Sequence, residues 1–247
     1  MSIFHFKQFD VKQDKSSMKV GTDAVLLGTW VRINTLSTSA LEVGTGCGVI
    51  SLIIAQRYPE VTIDAIDIDQ ESVCEAEENF INSPWKHRLN AINKSLQEYN
   101  TTKVYDFIIS NPPYFNNSLQ CPKQQRTNAR HTNTLSYNDL LNHSHNLLSN
   151  NGSLSVILPY EEGKLFIKLS TEYNFILNRI TKVYPTPTSQ PKRMLIELIK
   201  QPATTNSITI TKVSDIQQHS DTLVIENSRH NSTDDYISLR KDFYLNM

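Results

Sequence analysis

The stretch LEVGTGCGVISLII, residues 41–54, constrains the fold of this chain more than any other. Apolar residues lie on both sides of a turn that holds Gly44, Gly46 and Gly48. An apolar strand, a glycine-rich turn and an apolar helix are typical of an open parallel α/β sheet, in which ligands bind at the carboxyl ends of the strands. Glycines there let a ligand approach the backbone, and the helix start offers free N–H groups to an anion.

Strand and helix patterns alternate along the rest of the chain. Strands are predicted at 39–43, 61–68, 88–92, 103–110, 152–159, 175–185 and 193–200. Helices are predicted at 22–31, 49–58, 70–81, 136–149, 161–173 and 234–245. The alternation predicts a mostly parallel seven-stranded sheet covered by helices on both faces. The last two strands have no long helix between them, which favours an antiparallel pair at the edge of the sheet.

Length and composition predict one domain without a membrane anchor. The 247 residues suit one elaborated α/β domain, here taken as 1–35, a core at 36–200 and a less regular 201–247. No apolar run approaches the roughly 20 residues of a membrane helix. The three cysteines are an odd number without metal spacing, which favours a reducing cytosol and no disulfide framework. We therefore expect a cytoplasmic protein.

Two acidic residues accompany the glycine turn. Glu42 precedes Gly44 by two positions, and Asp67 ends the second predicted strand nineteen residues after Gly48. A carboxylate at the end of that strand can accept hydrogen bonds from both hydroxyls of a ribose. The spacing is G-x-G-x-G rather than the dinucleotide pattern G-x-G-x-x-G, and a tight turn beside a surface aspartate is the alternative interpretation. Thr22 is predicted as the N-cap of the first helix.

The segment from Asn111 to Tyr114, NPPY, follows the apolar run VYDFIIS. Pro112 and Pro113 cannot continue a strand, because proline has no N–H for the sheet and its φ is fixed. The segment therefore presents an amide, a rigid backbone carbonyl and an aromatic ring together.

With these elements in this order, the chain resembles the class I methyltransferases, Rossmann-like enzymes that use S-adenosylmethionine. In that class, Asn-Pro-Pro-Tyr marks transfer to a planar nitrogen. A closer resemblance covers almost the whole chain. The segments KVGTDAVLLG, NSPWKHR and ISNPPYF, the basic loop after them and the closing FYL are similar to the bacterial tRNA(Val) adenine-N6 methyltransferases. Those enzymes modify adenine 37, beside the anticodon.

The resemblance implies roles for the motif residues. The side-chain oxygen of Asn111 and the carbonyl of Pro112 would accept the hydrogens of the adenine amine and free its delocalised lone pair. Tyr114 would stack on the flipped base. No metal and no covalent intermediate are needed, since the step is an in-line displacement.

The resemblance also implies a cofactor set. The segment 1–35 would cap S-adenosylmethionine, with Thr22 and Asp23 near its methionine end. Ser95 stands where the family often has an acidic contact to the cofactor adenine. The full set is Lys19, Thr22, Asp23, Glu42, Gly44, Gly46, Gly48, Asp67, Ser95 and Asn111.

A basic stretch follows the catalytic motif without an acidic interruption. It contains Lys123, Arg126, Arg130 and His131, in a chain of formal net charge -1. We expect these residues to contact phosphates of the tRNA anticodon arm and to bind substrate together with Tyr114. A solvated loop is the alternative explanation. The enzyme is expected to act as a monomer.

Three alternatives remain open at this stage. A protein-glutamine methyltransferase can carry the same motif, but usually has an N-terminal helical domain. A DNA adenine methyltransferase generally adds a target-recognition domain. A non-catalytic RNA-binding relic would not need Asp67, Asn111 and the three glycines intact. The acidic helix predicted at 70–81 is interpreted as a solvated face.

Overall fold

The computed structural model describes residues 2–16, 18–113, 135–202 and 219–245. Six α-helices lie within these ranges, and none of them is long and apolar enough to cross a membrane. They are α1 Thr22–Trp30, α2 Val49–Arg57, α3 Gln70–Ile81, α4 Tyr137–Leu147, α5 Tyr160–Ser170 and α6 Asp234–Arg240. All six helices predicted from the sequence are confirmed. The cap of the first helix lies one residue earlier than expected, because Gly21 and not Thr22 is the N-cap residue.

Eight strands of the described chain form the central sheet. In spatial order they are β10 (His219–Val224), β8 (Phe175–Tyr184), β9 (Arg193–Lys200), β7 (Leu148–Pro159), β6 (Tyr105–Ser110), β3 (Ser39–Val43), β4 (Thr62–Asp67) and β5 (Leu89–Asn93). β9 runs antiparallel to both of its neighbours, and every other pair is parallel. The mostly parallel sheet with a late antiparallel pair is therefore confirmed.

The sheet has one strand more than the seven predicted. β10 pairs in parallel with β8 and is the outermost strand, so the antiparallel pair of β8 and β9 lies one strand inside this edge of the sheet. This pairing joins segments about forty residues apart (His219 opposite Arg179), and a long-range partner leaves no local signal in the sequence. Two short hairpins add to the fold: β1 (Ile3–His5) with β2 (Asp10–Lys12), and β11 (Glu226–Ser228) with β12 (Asn231–Ser232).

Alternating side chains of the strands build two cores, one on each face of the sheet. Phe107 and Ile109 of β6 face the core that contains α1, α2, α3 and α6, whereas Ile108 faces the core of α4 and α5. Each large apolar side chain buried in this way stabilises the fold by about 1.5–3 kcal/mol. Helices on both faces leave only the ends of the strands open to a ligand.

Strand register brings the predicted motifs to one edge of the sheet. Val43 pairs with Ile66 on one side and with Ser110 on the other, and Asp67 pairs with Asn93. The chain segments that follow these strands therefore leave the sheet side by side. They carry the glycine turn, Ser95 and the Asn-Pro-Pro motif, and Asp67 ends β4 beside them.

Candidate functional site

A cavity of about 590 Å³ opens at this edge of the sheet. The predicted site residues that line it are Lys19, Thr22, Asp23, Gly44, Gly46, Asp67, Ser95 and Asn111. Glu42, Gly48 and Pro112 belong to the same segments without lining the cavity. Tyr114, Lys123, Arg126, Arg130 and His131 lie outside the described residues. The structure thus brings together predicted residues from five separate segments of the chain.

The glycine turn is left-handed at all three glycines. The φ angles of Gly44, Gly46 and Gly48 are 77°, 53° and 83°, a region that side chains with a Cβ rarely adopt. A Cβ on Gly44 would meet nothing within 4 Å, so this position leaves room in the cavity. A Cβ on Gly48 would lie 2.6 Å from the ring of Phe80 in α3. Gly44 therefore serves the cavity, whereas Gly48 serves the packing of α2 against α3.

Glu42 lies beneath the turn with its side chain fully buried. Its Oε2 accepts hydrogen bonds from the Thr45 hydroxyl at 3.0 Å, the Ser51 amide at 3.1 Å and the Ser51 hydroxyl. Oε1 has no hydrogen-bond partner within the described residues. Burial raises the pKa of Glu42 to about 7, against the lowering effect of those hydrogen bonds. Glu42 therefore joins the turn to the start of α2 and does not line the cavity itself.

Asp67 is fixed at the end of β4 by two backbone amides. Its Oδ2 accepts from the Gly46 amide at 2.9 Å and its Oδ1 from the Asp69 amide at 3.0 Å. The side chain is half-buried and lines the cavity. The carboxylate is thus held against the glycine turn, where it can still accept hydroxyl hydrogens from a ligand.

An apolar slot lies beyond Asp67. Ile68 lines the cavity although its side chain is 51% exposed, and the buried Leu96 lines it as well. Ser95 caps the short 3₁₀ turn Leu96–Glu98, with its hydroxyl 3.3 Å from the Glu98 amide. Two apolar side chains with a polar rim suit a flat aromatic ring. Ile68 and Leu96 were missed from the sequence, although each directly follows a residue that was predicted.

Another part of the cavity wall begins at the end of β6. The Ser110 hydroxyl donates to the Val43 carbonyl at 2.8 Å and anchors the strand end. Asn111 is half-buried and lines the cavity, Pro112 is buried, and Pro113 is exposed at the cavity wall. Asn111 therefore lines the same cavity as Asp67 and the glycine turn.

An ion pair joins two residues of the cavity wall that lie on separate elements. The Nε of Arg193, at the start of β9, donates to Oδ2 of Asp23 in α1 at 2.7 Å. Both residues line the cavity. Arg193 was missed because an antiparallel strand reaches the ligand-binding edge with its first residue, whereas a parallel strand reaches it with its last.

The N-terminal segment is fastened to α3 by a buried carboxylate. Glu75 accepts hydrogen bonds from three consecutive backbone amides, those of Asp14 at 2.6 Å, Lys15 at 2.9 Å and Ser16 at 2.8 Å. Its side chain is only 3% exposed. The interpretation of helix 70–81 as a purely solvated face is therefore wrong. The helix has a polar face that is buried by the N-terminal segment.

Asn79, one turn after Glu75, joins the same segment to the glycine turn. Its Nδ2 donates to the Lys12 carbonyl at 2.9 Å and to the Cys47 carbonyl at 2.8 Å, and its Oδ1 accepts from the Lys12 amide at 2.9 Å. Ser16 then lies over the turn, with its Oγ 3.3 Å from the Cβ position of Gly46. Residues Met18 to Ala24 continue from there along the cavity wall.

Comparison with known proteins gives two kinds of relationship. Residues 16–165 match the family model of the methyltransferase small domain. The chain is 41% identical over 247 residues to the tRNA1(Val) (adenine(37)-N6)-methyltransferase of Flavobacterium psychrophilum, covering 99% of this chain and 100% of the relative. It is 43% identical over 244 residues to the enzyme of the same name from Aliivibrio fischeri, covering 99% and 98%.

Solved structures resemble the fold at much lower identity. A predicted O-methyltransferase from Agrobacterium tumefaciens superposes with a TM-score of 0.65 and 18% identity, over 90% of this chain and 96% of that one. A putative RNA methyltransferase from Pyrococcus horikoshii gives 0.52 and 15%, over 72% and 82%. At these identities the likeness concerns the fold alone.

Proposed function

Because the chain belongs to the tRNA1(Val) (adenine(37)-N6)-methyltransferase family, we propose that it methylates N6 of adenine 37 in tRNA1(Val) with S-adenosylmethionine. One observation of the structure carries the proposal. Asn111, at the end of β6, faces the cavity that is also lined by Asp67 and the glycine turn. A methyl donor bound in this cavity would therefore lie beside Asn111.

The residues present fit an adenosine that carries an amino acid. Asp67 would hold the ribose hydroxyls, and Ile68 and Leu96 would enclose the adenine beside Ser95. The open space at Gly44 admits a ligand against the backbone. Lys19, Thr22 and Asp23 would close over the amino-acid end from the N-terminal segment 1–35. Glu42 and Gly48 contribute by holding the turn in shape. The bound cofactor would supply an electrophilic methyl group on sulfur.

The chain's own residues position and activate the acceptor. The Asn111 side-chain oxygen and the Pro112 carbonyl accept the two hydrogens of the adenine amine, which draws the nitrogen toward tetrahedral geometry. N6 would then form its bond to the methyl carbon as the sulfur–methyl bond breaks, and it would lose one proton to solvent. Pro113 fixes the Pro112 carbonyl before the reaction, so that little reorganisation is needed. Tyr114 stacks on the base after it has left its own stack.

The tRNA would approach across the segment that follows this motif. We assign its phosphates to Lys123, Arg126, Arg130 and His131 on the grounds of their charge and their place in the sequence. The same proposal includes a monomeric, cytoplasmic single-domain enzyme that works without a metal ion. Protein-glutamine and DNA substrates are not favoured, since relatives named for tRNA align over 99% of the chain.

The test incubates the purified protein with labelled S-adenosylmethionine and unmodified tRNA1(Val) transcript, followed by nucleoside analysis. A transcript with guanine at position 37 is the control, and duplex DNA is a second substrate. We expect N6-methyladenosine only in the first transcript. Asn111→Ala should lower the rate by roughly a hundredfold or more, with little change in cofactor affinity. Near-normal turnover of the variant, or label in DNA, would overturn the assignment.

A further inference from the structure

The strands β7 and β9 reach beyond β6 at the edge of the sheet where the cavity opens. They lie on one side of β6, whereas the glycine turn and the predicted ribose carboxylate belong to β3 and β4 on its other side. Ser110 at the end of β6 is level with Val156 of β7. β7 continues to Pro159, which pairs with Arg193 of β9. Three residues at about 3.3 Å each place the end of this strand pair roughly 10 Å beyond β6. A molecule that reaches Asn111 from the side opposite the glycine turn must therefore pass the end of β7 and β9.

Tyr160 and Lys192 stand at this end and are joined through their backbones. The Tyr160 amide donates to the Lys192 carbonyl at 3.2 Å, and the Lys192 amide donates to the Val183 carbonyl at 2.9 Å. Tyr160 begins α5, and Lys192 directly precedes β9. The connection 185–192 that ends at Lys192 also contains three prolines, which restrict its backbone. The two residues are therefore held in fixed positions relative to each other and to the sheet.

Both side chains keep groups that the fold does not use. Lys192 is exposed and has no ion-pair partner in the described chain. The Tyr160 ring is half-buried against the core of α4 and α5, and its hydroxyl has no hydrogen-bond partner among the residues described. Glu161 follows Tyr160 but is paired with Lys164, whose Nζ lies 5.1 Å from the centroid of the Tyr160 ring. The charge of Lys192 thus remains available to a ligand.

An exposed ammonium beside an aromatic ring fits a single strand of nucleic acid. The ammonium of a lysine binds a phosphate as a compact point charge, and an aromatic ring stacks on a base that is not paired. The bases next to adenine 37 lie in the anticodon loop, where they are unpaired and accessible to such a ring. A lone lysine would suit any anion, and a lone tyrosine would suit packing. Hydrogen-bonded neighbours beside the acceptor motif favour RNA over both.

We propose that Lys192 binds a backbone phosphate of the anticodon loop and that Tyr160 stacks on an unpaired base next to adenine 37. This inference rests on the proposed function, because it presumes the tRNA substrate. It places substrate contacts on β7 and β9, the strands on the opposite side of Asn111 from the glycine turn. The two contacts have different signatures. A phosphate contact releases counterions and depends on salt, whereas stacking on a base releases none.

Titration of tRNA1(Val) transcript at several salt concentrations, with S-adenosylhomocysteine present, tests the phosphate contact. Lys192→Gln should weaken binding by roughly fivefold at about 0.1 M salt. It should also reduce the slope of log Kd against log salt by about 0.7, the value for one phosphate of a single strand. Lys168→Gln is the matched control, since Lys168 is exposed near the other end of α5. The control should leave affinity and slope unchanged.

The same titration tests the stacking contact. Tyr160→Leu should weaken tRNA binding by about fivefold or more at every salt concentration, without a change of slope. Tyr160→Phe should bind like wild type, because it keeps the ring and loses only a hydroxyl without a partner in the described chain. Tyr173→Leu is the matched control, because Tyr173 is half-buried against the same core just beyond the other end of α5.

The outcomes separate this inference from the proposed function. Calorimetry should give the same S-adenosylhomocysteine affinity for wild type and all variants. Equal tRNA binding by Lys192→Gln and Lys168→Gln would overturn the inference, and so would equal loss in Tyr160→Leu and Tyr173→Leu, which would leave Tyr160 a packing residue. Weakened cofactor affinity in either variant would assign the residues to the cavity and also overturn it. If wild type neither bound nor methylated the transcript, the proposed function itself would fail, and this inference with it.

Discussion

Two buried carboxylates hold the glycine turn from two directions, and they differ in how their oxygens are satisfied. Glu42 lies under the turn at 0% exposure, and Glu75 lies in α3 at 3% exposure, where it fastens the segment that covers the turn. All three donors to Glu42 reach one oxygen, and the other has no hydrogen-bond partner in the described chain. Glu75 receives three backbone amides over both oxygens.

The difference teaches that burial alone does not decide what a carboxylate does for stability. A buried charge is costly unless hydrogen bonds replace its lost hydration. For Glu42 the burial outweighs the hydrogen bonds, so its pKa is raised to about 7. The charge of Glu42 therefore opposes folding at neutral pH, whereas Glu75 anchors three amides that would otherwise lose their partners.

Replacement of Glu75 should have the largest effect. Each of the three amides loses a hydrogen bond to a charged group, worth about 1.5–3 kcal/mol, and the amides of the exposed Asp14 and Lys15 can regain water. We therefore expect Glu75→Ala to lower the free energy of unfolding by about 3–4 kcal/mol in total. Cofactor affinity should fall as well, because the segment that lines the cavity leads directly from Ser16.

Glu77→Ala is the matched control, since Glu77 is exposed on the same helix. Urea denaturation and calorimetry with S-adenosylhomocysteine measure both effects. Glu75→Gln should retain part of the stability, because its carbonyl oxygen still accepts from the amides. Equal unfolding free energies of Glu75→Ala and Glu77→Ala would show that the hydrogen bonds of Glu75 to the three amides contribute nothing to stability.

In contrast to Glu75→Ala, Glu42→Gln should raise the free energy of unfolding at neutral and higher pH. The pKa of Glu42 is raised from 4.5 to about 7 in the folded protein, so the unfolded chain releases this proton first as pH rises. Stability is then highest below the unfolded value and is lost as pH rises toward the folded value. The loss amounts to about 3 kcal/mol, from about 1.4 kcal/mol per pKa unit. The amide cannot ionise, so the variant should not show this loss.

Denaturation of wild type and Glu42→Gln at about pH 5 and about pH 8 isolates the titration of this group. The variant should exceed wild type in stability at the higher pH and approach it at the lower pH. Glu77→Gln makes the same chemical change on the surface of α3 and serves as the control. A constant difference between Glu42→Gln and wild type at both pH values would contradict the raised pKa.

The sequence predicted those parts of the molecule whose signals are local. Each strand–helix unit has its own periodicity, and Gly44, Asp67 and Asn111 directly follow parallel strands, where ligand residues gather. Strand β10 was missed because its pairing with β8 is non-local. Glu75 was missed because its partners are backbone amides some sixty positions earlier, which give no side-chain pattern.

The glycines were predicted as one set, and the structure divides them between two roles. The spacing G-x-G-x-G reveals the backbone conformation and not what lies beside each Cα. Only the packing shows that Phe80 occupies the space next to Gly48, whereas nothing lies within 4 Å of the Cβ position of Gly44. Substitution of each glycine can therefore separate the packing of the turn against α3 from its contact with a ligand.

The unfolding free energies of Gly44→Ala and Gly48→Ala should differ from each other by less than the effects expected for the carboxylate variants. Both introduce a Cβ at a positive φ, 77° and 83°, so both share a strain of about 1–2 kcal/mol. Gly48→Ala also forces its Cβ against Phe80, and overpacking of this kind costs about 1–3 kcal/mol more. Gly44→Ala should instead lower the affinity for S-adenosylhomocysteine, because its Cβ enters the cavity. Adding Phe80→Leu to Gly48→Ala should restore part of the lost stability. Equal unfolding free energies of the two single variants would show that α3 can move away from the turn.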